Sequence, residues 1–158
     1  MLLVSNSTKG ADWSDLINRT LGPTEWFMIN QSRIDAFADA TLDHQSIHVD
    51  PTSEASKANG GTIAHGFLSL SLLSHLSYEL LDPYIDGKVI LNYGLNRVRF
   101  LAPVPAGANI NLTIKILHTL EKPQGSLITY ESQVQIQHCD KPAFVAEQLA
   151  LVLNSNTG

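Results

Sequence analysis

The stretch Gly66-Phe-Leu-Ser-Leu-Ser-Leu-Leu-Ser-His-Leu-Ser-Tyr-Glu-Leu-Leu81 constrains the fold more than any other part of the chain. Wound as a helix, it is apolar on nearly every side and relieved mainly by small serines, so it predicts a helix to be enclosed rather than laid on a surface. It falls short of the ~20 apolar residues that span a bilayer and carries His75 and Glu79, which argues against a membrane span. Asp82-Pro83 is expected to stop it, because the residue before a proline is pushed out of helical geometry.

Downstream the apolar period changes to two. Leu91, Tyr93 and Leu95 alternate with Asn92, Gly94 and Asn96, and the parity then shifts to Val98 and Phe100, as a β-bulge near Asn96-Arg97 produces. Ile110, Leu112, Ile114 and Ile116 form a second alternating strand, and Ile128, Tyr130, Val134 and Ile136 a third after a turn at Pro123-Gln-Gly125. Phe144 to Leu153 closes the series. Four consecutive strands with short turns predict an antiparallel meander, which an early strand, Glu25 to Ile29, can complete. After that strand, Asn30 or Ser32 caps a helix in which Ile34, Phe37 and Ala38 share a face and which ends near Thr41. An apolar helix wrapped by an antiparallel sheet is an α+β domain. With no repeat, low-complexity tract or linker, the 158 residues read as one domain, 1–158, with its core at about residues 16–153.

Ten basic against 15 acidic residues leave a net charge of −5, with no basic run to displace counterions from nucleic acid. Only 16% of residues are charged, which suits a domain whose surface is partly covered by a second subunit, so a homodimer is expected. Cys139 is the single cysteine, which rules out an intrachain disulfide and gives no sign of an oxidising compartment. The opening Met1-Leu-Leu-Val-Ser-Asn6 lacks a basic, long-apolar leader, and the closing Asn156-Thr-Gly158 is no peroxisomal signal, so the expected location is cytoplasmic.

Residues 42–65 are polar and without clear periodicity, and a long irregular stretch in a small domain is usually functional. The chain there reads Ala40-Thr-Leu-Asp43-His44-Gln45-Ser46-Ile47-His48-Val49-Asp50-Pro51, then Gly60-Gly-Thr-Ile-Ala-His65-Gly66 at the start of the enclosed helix. With Asn92-Tyr-Gly-Leu-Asn-Arg-Val-Arg-Phe100 and Pro103-Val-Pro105, this arrangement resembles the MaoC-like family of (R)-specific enoyl-CoA hydratases and acyl dehydratases, within it the subgroup that includes nodulation protein N. The resemblance runs over roughly residues 24–153. It implies a hotdog fold, an antiparallel sheet around a central helix. It also implies a catalytic pair, Asp43 and His48, with Gly66 at the oxyanion position and Ser74 supporting the site from the helix. Gln45 and Ser46 replace the Asn and Pro of the commoner motif, a change that bears on what steadies the loop and on substrate selection.

The chemistry asks for such groups on its own terms. Adding water to a double bond conjugated with a thioester takes a base to activate the water and a donor to return a proton at Cα. The enolate that develops on the thioester oxygen needs a fixed donor, and a free amide at a helix start supplies one, with the helix dipole behind it. At Gly66 the missing side chain lets the thioester come close. The implied substrate is an acyl-CoA or acyl-carrier-protein thioester, with coenzyme A as part of the substrate, no separate cofactor and no metal. His65 reads as shaping the loop before Gly66. Arg97 and Arg99 are either solvated strand charges or contacts to the coenzyme A phosphates. A His44, His48 and Asp50 metal site has no metalloprotease-type spacing behind it. Two other functions stay open: a thioesterase, since fold does not fix function, and a non-catalytic acyl-thioester-binding or assembly subunit.

Overall fold

The computed structural model describes residues 12–154. Both terminal segments on which the targeting reading rests, Met1 to Asn6 and Asn156 to Gly158, lie outside the described residues.

The first described element is a 3₁₀ turn at Trp13–Leu16, which buries both Trp13 and Leu16. Two short strands follow, β1 (Thr20–Leu21) and β2 (Phe27–Ile29), both antiparallel to the strand Ala108–Lys122. Helix α1 (Gln31–Thr41) is capped by Asn30, whose side chain accepts from the Arg33 amide at 3.0 Å. It buries Ile34 and Ala38 and ends at Leu42, which takes a left-handed conformation with φ 61°.

The segment expected to be irregular holds two short helices, α2 (Ser46–Val49) and α3 (Glu54–Ala58). The serines tie it together. Ser53 caps α3, and the fully buried Ser56 donates to the Ser46 carbonyl at 3.1 Å. At Gly60 and Gly61, φ of 75° and 142° turns the chain into an extended piece that pairs with Val104 to Ala106.

The apolar helix forms as two segments, α4 (Gly66–Ser71) and α5 (Leu73–Ile85). They meet at Leu72, next to Ser71, whose hydroxyl bonds back to the Phe67 carbonyl at 2.8 Å, a contact that tends to bend helices. Pro83 does not stop the helix. It falls in the last turn, where it forfeits one hydrogen bond, while burial of Ile85 and packing of Tyr84 against Trp13 carry the helix on to a left-handed Asp86. No helix among the described residues is long and apolar enough to cross a membrane.

Strands β3 (Ile90–Phe100), β4 (Ala108–Lys122), β5 (Gly125–Ile136) and β6 (Phe144–Leu153) complete an antiparallel sheet. Its order, β1-β4-β5-β6-β3 with β2 also on β4, corrects the expected meander: β3 pairs with β6, not with β4. Pro103 and Pro105, which have no amide to offer a ladder, sit in the connection between β3 and β4 and exclude a tight hairpin there. Ile110, Leu112, Ile114 and Ile116 are fully buried as their alternation required, and with Ile128, Val134 and Phe144 they close over Leu73, Leu76 and Leu81 of α5. Each such side chain contributes about 1.5–3 kcal/mol on leaving water.

The alternation of β3 reads differently. Asn92 turns toward the helix and bonds Ser74, whereas Leu91, Tyr93 and Leu95 stay 44%, 50% and 45% exposed. The register slips twice against β6, at Tyr93 and at Asn96, where one bulge was expected. Beyond β3 no described strand pairs, so its outer edge is free.

Candidate active site

Asp43 stands just past the end of α1, and His48 lies in α2, whose single turn brings the imidazole back toward the entry to α4. His48 Nδ1 is 2.7 Å from the Ile63 carbonyl. A carbonyl only accepts, so Nδ1 carries the proton and Nε2 is left in neutral histidine as a free base. His65 Nε2 donates likewise to the Asp43 carbonyl at 2.9 Å, and its ring stacks on that of His48 with centroids 3.8 Å apart. One polar atom from each of Asp43, His48 and His65 lies within 4.8 Å of the others. These three are the residues of the site whose atoms could together hold a metal ion.

Gln45 donates to the Asp43 carboxylate at 3.2 Å, and this hydrogen bond holds the Asp43 carboxyl below the usual carboxylate range. A residue the sequence did not single out fixes the other end of the site. Gln31 in α1 donates to the His48 carbonyl at 2.8 Å and to Asp35 at 2.8 Å, and accepts from Thr62. It thereby ties α1, α2 and the strand before α4 to one another. No motif marks it, since a glutamine at a helix start is ordinary.

A cavity of about 370 Å³ opens beside these groups, lined by His48, Gly66 and Ser69 together with apolar side chains that include Phe100, Val104 and Phe144. Gly66 is the first residue of α4, so its amide precedes the first intrahelical acceptor. A Cβ built on it meets the Phe100 ring at 3.1 Å. His48 and Gly66 are thus brought to one apolar wall, and Asp43, Gln45 and His65 gather around His48 outside the lining.

The remaining candidates stand apart. Ser74 accepts from Asn92 at 2.8 Å and lines a separate cavity of about 270 Å³ with Tyr93 and Gln148, so it does not support the His48 loop. The reason is helical phase: Ser69, five residues nearer Gly66, takes the place facing His48's cavity. Arg97 lies 3.7 Å from Glu131, Arg99 donates to the Val98 carbonyl, and neither lines the cavity. His44 pairs with Asp39 at 2.8 Å and Asp50 accepts from Thr52, so no His44, His48 and Asp50 cluster forms.

A helix enclosed by an antiparallel sheet, with an imidazole and a glycine amide on one apolar cavity and a carboxylate beside the imidazole, is an arrangement suited to adding water to an acyl thioester or removing it. Residues 12–135 match the family model described as the MaoC like domain, and the chain belongs to the MaoC-like dehydratase family, which makes it a hydro-lyase. It is 40% identical over 144 residues to nodulation protein N of Rhizobium leguminosarum bv. viciae, covering 90% of this chain and 89% of that one. It is also 40% identical over 141 residues to 3-hydroxyacyl-thioester dehydratase Z of Mycobacterium tuberculosis, covering 88% and 92%. The fold is shared with the (R)-hydratase from A. caviae involved in PHA biosynthesis, with a TM-score of 0.70 at 22% identity over 86% of this chain and 96% of the other.

Proposed function

We propose that the protein interconverts trans-2-enoyl and (R)-3-hydroxyacyl thioesters, with coenzyme A or acyl carrier protein as the carrier. The observation that carries this reading is the joint position of a free His48 Nε2 and the Gly66 amide on one apolar cavity. With the thioester oxygen at the Gly66 amide, His48 takes a proton from water as its oxygen bonds to Cβ, and negative charge moves to the thioester oxygen. Asp43 steadies the imidazolium, and that pair returns the proton to Cα, so water is added with no net charge. Dehydration runs the same steps backward. No separate cofactor or metal enters the reading, and the hydrophobic wall takes the acyl chain. The (R) stereochemistry rests on the family, and a cytoplasmic location on the single unpaired cysteine.

Incubation of purified protein with crotonyl-CoA is expected to remove the enoyl absorbance without releasing free thiol, and chiral analysis should find the (R) product. Release of thiol would identify a thioesterase, and binding without turnover a non-catalytic subunit. Gly66→Val should lower turnover by about 10² while the protein stays folded, because the new side chain meets Phe100 and blocks approach to the amide. Wild-type turnover in a folded Gly66→Val protein would remove this amide from the reaction.

The same proposal includes a homodimer. The free edge of β3 carries Leu91, Tyr93 and Leu95 exposed, and a bare, apolar edge strand is a place for a second chain to pair. Sedimentation at micromolar concentration should report a dimer or a dimer of dimers. An active, strictly monomeric protein would contradict it.

A further inference from the structure

Among the residues that line the His48 cavity, only His48 and Ser69 bear polar side chains. Ser69 is 2% exposed, and its Oγ has no hydrogen-bond partner. A helical serine ordinarily satisfies its hydroxyl on the carbonyl four residues back, as Ser71 does on Phe67 at 2.8 Å. Ser69 forgoes that bond, although the His65 carbonyl is in place and accepts the Ser69 amide at 3.2 Å. A buried hydroxyl with no protein partner on the wall of a cavity is available to a polar ligand atom that enters it.

Helix geometry indicates which atom. Residues three apart share a face, and side chains lean toward the helix N-terminus, so the Ser69 hydroxyl reaches back over the turn that begins with Gly66. We infer that Ser69 donates a second hydrogen bond to the thioester carbonyl oxygen, beside the Gly66 amide, and so belongs to the oxyanion site. The inference rests on the hydratase reading and adds a residue to it. His65 Nδ1 is also buried without a partner. A bond from Ser69 to that nitrogen would be a structural one, and it makes the opposite prediction for stability.

Ser69→Ala and the near-isosteric Ser69→Cys, a far poorer donor, are to be compared with wild type on crotonyl-CoA, in thermal unfolding, and by infrared difference spectroscopy of a bound, carbonyl-labelled enoyl thioester. Loss of one oxyanion donor should lower kcat by about 10- to 100-fold in both variants with KM changed by less than about 3-fold. The carbonyl band, shifted to lower frequency by wild-type protein, should move back toward its solution position. The Tm should hold, because the alanine variant gives up no hydrogen bond to the protein. Wild-type kcat with an unmoved carbonyl band in Ser69→Ala would overturn the assignment while leaving the hydratase reading intact. A fall in Tm with kcat maintained would assign Ser69 to His65 and to structure. A wild-type protein inactive on enoyl thioesters would overturn both readings.

Discussion

Gly125→Ala is expected to destabilise the fold by about 3 kcal/mol or more. Gly125 begins β5, immediately after the β4–β5 turn, and its φ of 151° is one that side chains rarely adopt. A Cβ there would stand 2.0 Å from the Val152 carbonyl oxygen and 2.9 Å from Leu153 Cα, both backbone atoms of β6. Neither can swing away as a side chain does. To make room, the end of β6 must leave β5, which breaks the pairing of Gly125 with Leu153 and of Ser126 with Val152. Gly94 provides the control, since a Cβ on it has nothing within 4 Å and its backbone is ordinary. Urea unfolding should show a large fall in midpoint for Gly125→Ala at unchanged slope, with Gly94→Ala within about 0.5 kcal/mol of wild type. A Gly125→Ala protein less than about 1 kcal/mol destabilised would mean that the β5–β6 pairing yields at its end.

The legible parts of this fold are those where one physical demand acts alone. On β4 the alternating Ile110, Leu112, Ile114 and Ile116 meet the helix on a single face, so the period of two reads directly as burial, and Ile128, Tyr130, Val134 and Ile136 follow on β5. The cap at Asn30 is equally local. On β3 two demands compete. Its inner face and its free edge both hold apolar side chains, and the two register slips mix them, so Leu91, Tyr93 and Leu95 look like core residues in the sequence although they stand half exposed. The order of strands was not legible at all. Alternation specifies faces but not neighbours, and the β3–β6 pairing joins strands far apart in sequence.

The site divides along the same line. Asp43, His48 and Gly66 stand out in the sequence because their spacing resembles a known motif, and the fold brings them close together. Gln31 and Ser69 do not, as their places at the site depend on which way a side chain points from a helix. Ser74 shows the cost of carrying a position over by likeness: its hydroxyl is engaged by Asn92 from β3, and the helical face toward His48 belongs to Ser69.

Asp43→Asn and His48→Gln should each lower kcat by roughly 10² to 10⁴ while acyl-thioester binding stays nearly intact, since the loss falls on the transition state. Asn keeps the shape of Asp43 and a partner for Gln45, yet removes the negative charge that faces the imidazole pair. Gln keeps a polar group in place of His48 but has no basic nitrogen to receive a proton at the cavity wall. The two act on one proton, so the double variant should be little worse than the poorer single one. The pH dependence has a definite sign. Gln45 stabilises the charged form of Asp43, so the carboxylate persists as pH falls below the ordinary carboxylate range and is lost only further down. Gln45→Leu removes that donor and should move the Asp43 titration upward, which the pH dependence of the labelled Asp43 carboxyl carbon resonance reads directly. Stopped-flow hydration of crotonyl-CoA, with binding measured separately by calorimetry, checks the kinetic claim, and carboxyl carbon resonances of labelled protein across the acid range check the titration. Single variants that hydrate at wild-type rates, or a double variant in which the two losses multiply, would mean that Asp43 and His48 do not work as one unit.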